Sequence, residues 1–242
     1  MAEQKPSRGL TGALVKLWRG GDYELTVTGR TEISPHYLRL HFDAGGLLHE
    51  RSIHPTMWIR GWFPDGDKSH QRGYTLVNPD RAAGTVDIDF AMHDGLATRW
   101  AQLAEPGDVL EVTVLGSSFE LPTPSPAGYV IVGDTASLPA INSLLEAIGD
   151  TPAKVFLEAG YDDDRELPVS VADAAKVTVT WVDRKDAGAA LVETVRASAF
   201  DASDHFGWVA CDNRTTRNVT KVLREQFSIP KKSLKSLAYW QV

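Results

Sequence analysis

The sequence predicts a two-domain, β plus α/β chain. A six-stranded antiparallel barrel is expected over residues 23–121 and a parallel-sheet α/β domain over 127–242, with a helical segment over 1–22 in front. Three observations predict this. Short runs rich in β-branched and aromatic residues, divided by Gly/Pro turns, fill the first half. Strand and helix patterns alternate in the second half. The Pro-rich stretch 122–126 divides the two.

Taken in order, Leu10, Leu14, Leu17 and Trp18 share a helical face, with Arg8, Lys16 and Arg19 around it. Such a helix can pack over the end of a barrel or touch a membrane surface. The barrel runs are Tyr23–Thr28, Tyr37–Phe42, Met57–Trp62, Thr85–Phe90 and Val109–Val114, several alternating apolar with polar at period two. Their spacing implies about six strands, and closure would remove exposed edges. One helix is expected near Ala97–Leu103. Beyond the boundary come strand Tyr129–Val132, helix Ser137–Ile148, strand Ala153–Glu158, strand Val177–Val182, helix Ala189–Ala197, strand Gly207–Ala210 and helix Thr215–Phe227. A last apolar stretch, Leu234–Trp240, follows. Near-continuous apolar strands alternating with helices mean a parallel sheet covered on both faces.

Composition excludes several classes. The 242 residues are 43% hydrophobic and 24% charged, ordinary for a folded chain. A net charge of -7 argues against nucleic acid as a partner, because phosphate neutralisation needs surplus Lys and Arg. The single cysteine, Cys211, excludes an internal disulfide and a multi-Cys metal or iron–sulfur site. It reads as a small apolar residue rather than a nucleophile. No apolar run reaches the roughly 20 residues that span a bilayer, and MAEQKPSRGL lacks a signal-peptide core. A cytoplasmic location is the expectation. Charge is also uneven. Residues 214–235 carry Arg214, Arg217, Lys221, Arg224, Lys231, Lys232 and Lys235 against Glu225 alone, whereas 158–173 carry six acids against Arg165. Either run is ordinarily a solvated face; a field that guides a charged ligand is the functional alternative.

No nucleophile elbow, metalloprotease helix or Walker loop is present. That absence points to a cofactor carrying the difficult step. Three segments could hold one. In Arg72-Gly73-Tyr74-Thr75, strand alternation puts Arg72 and Tyr74 on one face, where they could grip a phosphate and support a planar ring. Gly73 lets a ligand come close to the backbone. In the stretch from Asp89 through His93, Gly95, Ala97 and Thr98, a strand turns into a helix. The amides of that turn and the Thr98 hydroxyl would face a diphosphate; an ordinary helix cap is the plain reading. In Gly133-Asp134-Thr135-Ala136-Ser137-Leu138-Pro139, a parallel strand turns into a helix where nucleotides bind in such sheets. Asp134 would repel a phosphate placed directly upon it.

These motifs in this order, with Pro106-Gly107-Asp108, Gly116-Ser117-Ser118-Phe119, Trp208-Val-Ala and a terminal Tyr239-Trp240, resemble the siderophore-interacting protein family. Its members are flavin-dependent ferric-siderophore reductases of the ferredoxin-reductase superfamily. Val77 replaces an Arg usual in the family, Cys211-Asp212 replaces Gly-Glu, and Ala238 and Gln241 flank the terminal pair where Gly and Arg are usual. The variant looks most like the siderophore-interaction domain fused ahead of a mycobacterial ABC importer of iron-loaded siderophores.

The resemblance implies FAD as cofactor, held by Arg72 at its pyrophosphate, Tyr74 against its ring and Thr75 at flavin N5. Thr75 and Tyr74 would thus serve catalysis. His93, Gly95, Ala97 and Thr98 would bind its diphosphate and adenosine end, and Leu76 and Asp89 complete that set. Asp134, Thr135 and Ser137 would meet a nicotinamide nucleotide, NADPH or NADH. Arg184 and Lys185 would meet a 2′-phosphate, favouring NADPH, unless they form a solvated turn. Arg214, Arg217 and Lys221 would attract an anionic ferric siderophore or an anionic lipid. The expected function is reduction of siderophore-bound Fe(III), the metal being substrate, with an ABC transporter or the inner membrane face as further partner. A general flavin reductase, or a non-redox siderophore-binding or transporter-docking module, would share the fold.

Overall fold

The computed structural model describes residues 21–241, and the chain divides into two compact units, residues 1–119 and 120–242. The helix expected over 1–22 therefore lies outside the described residues, except that Gly21 and Asp22 open a strand.

The first unit is one antiparallel sheet. Its strands are β1 (Gly21–Ser34), β2 (Tyr37–Asp43), β3 (Trp58–Asp65), β4 (Lys68–Thr75), β5 (Val77–Asp80), β6 (Thr85–Ala91) and β7 (Val109–Val114), with a one-turn helix α1 (Leu47–Glu50) and a longer α2 (Leu96–Leu103). They lie in the order β4-β3-β7-β1-β2-β6-β5. Seven strands, not six, make this sheet. The sequence marks the Arg72–Thr75 end of edge strand β4, and the added strand is the other edge, β5. Strand β4 reads Lys-Ser-His-Gln-Arg-Gly-Tyr-Thr, without apolar alternation, and β5 is four residues carrying Pro79 and Asn78 at φ +46°. Polar or Pro-bearing short strands are what edges tolerate, and they leave a weak sequence signal. Among the described residues no ladder joins β4 to β5, so the expected closed barrel keeps two edges. Inside the curved sheet, Leu25, Leu40, Phe42, Ile59, Phe63, Ile88, Phe90, Leu110 and Val112 are almost fully buried. Each such side chain contributes roughly 1.5–3 kcal/mol.

Hairpin β3–β4 is closed by Gly66 and Asp67 between paired Asp65 and Lys68. Gly66 has φ +60°, the conformation a two-residue hairpin turn needs at its first central position. This turn fixes the register that sets Tyr74 opposite Ile59 and Arg72 opposite Gly61.

The second unit is a parallel sheet of β8 (Tyr129–Asp134), β9 (Ala153–Ala159), β10 (Val177–Asp183), β11 (Phe206–Asp212) and β12 (Leu234–Trp240), with helices α3 (Leu138–Ile148), α4 (Ala189–Ala197) and α5 (Asn213–Glu225). Its order is β10-β9-β8-β11-β12, the doubly wound arrangement in which strand order reverses beside the first strand. Every residue of β8 and β11 is buried, as a sheet covered on both faces requires. Val219, Val222 and Leu223 of α5 and Leu191 and Val195 of α4 pack on Val130, Val132 and Val209. The final apolar stretch is strand β12, parallel to β11. Among the described residues no helix is long and apolar enough to cross a membrane.

Candidate functional site

In the first unit, the end of β4 gathers the residues that the sequence singles out. The Tyr74 ring lies 4.5 Å from Phe90 and edge-on to Phe63 at 5.7 Å. Burial raises its phenol pKa, with Arg72 acting weakly the other way, so the hydroxyl stays neutral. Arg72 is exposed, and its Nη1 donates to the Gln71 carbonyl at 2.8 Å. A Cβ added at Gly73 would meet only an ordinary contact, Trp58 at 3.8 Å, so packing does not demand glycine there.

Thr75 is 5% exposed, and its Oγ1 is buried without a hydrogen-bond partner. A hydroxyl left in that state is costly and rare, of order 1–3 kcal/mol. Leu76 is buried, its N–H donating to the Met57 carbonyl at 2.8 Å. Ser117 frames the same strand ends: its Oγ accepts from Trp58 N–H at 3.0 Å, directly across from Thr75, and lies 3.2 Å from His54 Nε2. The sequence offers Ser117 only as part of a family motif. Its contact with β3 spans 59 residues, beyond the reach of local pattern.

The β6–α2 turn departs from expectation at two side chains. Thr98 is 1% exposed, and its Oγ1 accepts from Gly95 N–H at 3.2 Å and lies 2.6 Å and 2.9 Å from the His93 and Gly95 carbonyls. The hydroxyl is engaged within the turn itself. Asp89 is likewise committed, in a two-pronged pair with Arg39 at 2.7 and 2.9 Å, directly across β2–β6. What the turn does offer is backbone: the first amides of α2, at Leu96 and Ala97, lie where a helix has no internal acceptors. The exposed His93 ring lies over Gly95, where an added Cβ would fall 2.3 Å from it. Because that exposed ring can turn aside, the contact does not by itself require glycine at 95.

In the second unit, β8, β10 and β11 each end in an acid, Asp134, Asp183 and Asp212, and β9 carries Glu158 one residue before its end. Asp134 is turned inward, its carboxylate accepting from Ser137 N–H at 3.0 Å and Trp240 Nε1 at 2.8 Å. Ser137 returns its hydroxyl to Asp134 rather than capping α3. Thr135 stays half-exposed between them. Gly133 is needed for close approach, since a Cβ would fall 2.3 Å from Ser137 Oγ and 2.5 Å from Ile141.

Arg184 is not a free cation. It pairs with Glu158, lies 3.7 Å from Asp212 and stacks 4.8 Å from the Trp240 ring. Lys185 faces Asp183 at 3.6 Å. Arg184 is thus drawn into the buried cluster, whereas Lys185 stays exposed in the turn after β10, as a solvated turn would have it. Glu158 is 2% exposed, with Oε1 lacking any hydrogen-bond partner. Burial raises its pKa; Arg184 offsets part of that, and Asp134 and Asp212 add to it. Burial also pushes the Cys211 thiol up, as do the same three carboxylates, so Cys211 packs as an unreactive apolar residue. The regular placement of acids at strand ends is the sequence signal by which this cluster could have been found.

Arg214, Arg217 and Lys221 are all exposed on α5. Arg217 and Lys221, with Arg224 and Lys231, line a groove of about 550 Å³, while Arg214 lies a turn away beside Asp212.

Two domain families match. Residues 31–116 fit the siderophore-interacting FAD-binding domain and residues 126–242 the siderophore-interacting protein domain. The chain is 36% identical over 241 residues to the mycobactin import ATP-binding/permease protein IrtA of Mycolicibacterium smegmatis, covering 97% of this chain and 27% of that protein. It thus spans about a quarter of that relative. It is 27% identical over 194 residues to the NADPH-dependent ferric-chelate reductase of Escherichia coli, covering 78% and 73% of the two chains. The siderophore-interacting protein SipS of Aeromonas hydrophila shares the fold, with TM-score 0.79, 23% identity and 92% coverage of each chain. With both domains matched in order across most of its length, the chain belongs to the siderophore-interacting protein family.

Proposed function

We propose that this chain is a FAD-dependent ferric-siderophore reductase that passes electrons from a reduced nicotinamide nucleotide to siderophore-bound Fe(III). The observation that carries the reading is the orphaned Thr75 hydroxyl at the end of β4, in a domain of the FAD-binding family. The residues around it fit such a cofactor. Thr75 Oγ1 is a buried hydrogen-bonding group in want of a partner, Tyr74 presents a neutral aromatic face, and exposed Arg72 suits a phosphate. The α2 amides at Leu96 and Ala97 add donors for a second phosphate.

Bound FAD supplies the conversion of a two-electron donor to one-electron transfers. The chain's own residues bind and orient it: Thr75 holds the reacting edge, Tyr74 sets the ring plane and Arg72 neutralises charge. No acid or base is required of them. Fe(III) is the substrate, and Fe(II) leaves because it is a poorer partner for hard oxygen donors. Arg214, Arg217 and Lys221 would draw in the anionic complex, and a mycobactin-import permease is the proposed neighbour, supported by the likeness to part of IrtA.

An anaerobic spectrum tests this directly. The purified protein should carry or take up FAD. NADH or NADPH should bleach it, and a ferric siderophore with an Fe(II) chelator should restore the oxidised bands as the chelate forms. A protein that binds no FAD, or whose reduced flavin ignores every ferric siderophore offered, would sink the proposal.

A further inference from the structure

We infer that the carboxyl ends of β8–β11 select a coenzyme with a bare ribose 2′-hydroxyl, NADH, and reject the 2′-phosphate of NADPH. This rests on the proposed reading of that crevice as a nicotinamide-nucleotide site and names its specificity. In a doubly wound sheet the ligand lies outside the carboxyl ends, beside the strand where the order reverses. An acid at the end of the next strand, about twenty residues after the first turn, takes the 2′-hydroxyl, whereas a free Arg takes a 2′-phosphate. Here β9 is that next strand, and it brings Glu158.

Two independent observations point the same way. Glu158 is 2% exposed and holds Oε1 without a partner, an acceptor that a hydroxyl satisfies and a phosphate repels. The cation beside Glu158 is also already committed to buried carboxylates. Arg184 faces Glu158 and Asp212, while the exposed Arg165 and Lys185 share the single carboxylate of Asp183. Recruiting Arg184 to a phosphate would strand two buried carboxylates without their counter-charge, a strongly unfavourable exchange. Asp162, Asp163 and Glu166 add negative charge along the segment after β9. A dianionic group placed beside Glu158 meets buried carboxylates, and Asp183 offsets part of the charge of the exposed Arg165 and Lys185.

The test is equilibrium binding to the flavin-loaded protein by titration calorimetry, using NAD+ against NADP+ and 5′-AMP against 2′-phospho-AMP. The phosphorylated member of each pair should bind at least tenfold more weakly in low salt, and the gap should narrow as salt screens the repulsion. Asp183→Asn alters an exposed residue outside the buried cluster and frees Arg165 and Lys185. It should tighten NADP+ severalfold and leave NAD+ within twofold. NADP+ binding as tightly as NAD+, or an Asp183→Asn variant that leaves the ratio unmoved, overturns the inference alone. If neither nucleotide binds nor reduces the flavin, the crevice reading falls, and the specificity with it.

Discussion

At the scale of single residues, the most informative feature is a hydroxyl without a partner. Folding hides Thr75 Oγ1 and offers it nothing. Evolution can remove such a group at no structural loss, since valine has nearly the same shape. Retaining it makes sense if something outside the chain completes the bond. The Thr75→Val protein without flavin should therefore be as stable as the parent, or more stable by up to about 1 kcal/mol, because a buried unsatisfied group disappears. Its affinity for FAD should drop about two- to tenfold, the worth of one hydrogen bond. Thermal melts with and without FAD check both parts. A clear loss of stability in the flavin-free variant would show that the hydroxyl has a partner within the protein.

At the scale of elements, α5 shows how one carboxylate serves two ends. Asp212 closes β11 and caps α5, accepting from Arg214 N–H, Thr215 N–H and the Thr215 hydroxyl at 2.7–2.9 Å. Burial pushes its pKa up, but these bonds and the Arg184 charge outweigh that and hold it below the usual carboxylate value. A depressed value means that its stabilisation is present above the unfolded pKa, about 3.9. The contribution is lost as pH falls through the lower folded value. Asp212→Ala should cost about 0.5–2 kcal/mol at neutral pH, the range for a helix N-cap. Denaturant midpoints for parent and variant should converge as pH drops below about 4; a gap that persists there would contradict the assignment. The sequence made such elements legible where period and capping act locally. The β8 turn, α3, α5 and the core strands of the first sheet all announce themselves. Edge strand β5 does not, and β4 shows only at its Arg72–Thr75 end, because neither buries an alternating face along its length. Side-chain commitments such as Arg184 to Glu158, or Ser117 to Trp58, join residues 26 and 59 positions apart. No window of sequence reports them. That is why candidate segments could be named from the sequence while the contacts of Thr98, Asp89 and Arg184 within them could not.

At the scale of the whole molecule, two cores are strung on one chain, each with its own sheet and its own buried cluster. The prolines at 122, 124 and 126 lie between them in irregular chain. The second unit takes hold at Ala127, whose N–H donates to the Asp204 carbonyl at 3.1 Å. The irregular chain after β9 is different in kind. There the Asp164 carboxylate accepts from Gly160 and Tyr161 N–H at 2.7 and 2.9 Å, and Asn142 donates to the Pro168 carbonyl and accepts from Ser170 N–H, both at 2.9 Å. A protease needs several residues in extended, unpaired form, so these two irregular stretches should behave oppositely. Brief digestion with a protease of broad specificity should cut first between residues 120 and 126, and mass spectrometry should find two fragments that resist further trimming at the same dose. First cuts within 160–176, or inside either sheet, would mean that the hydrogen bonds holding those stretches do not protect them as argued.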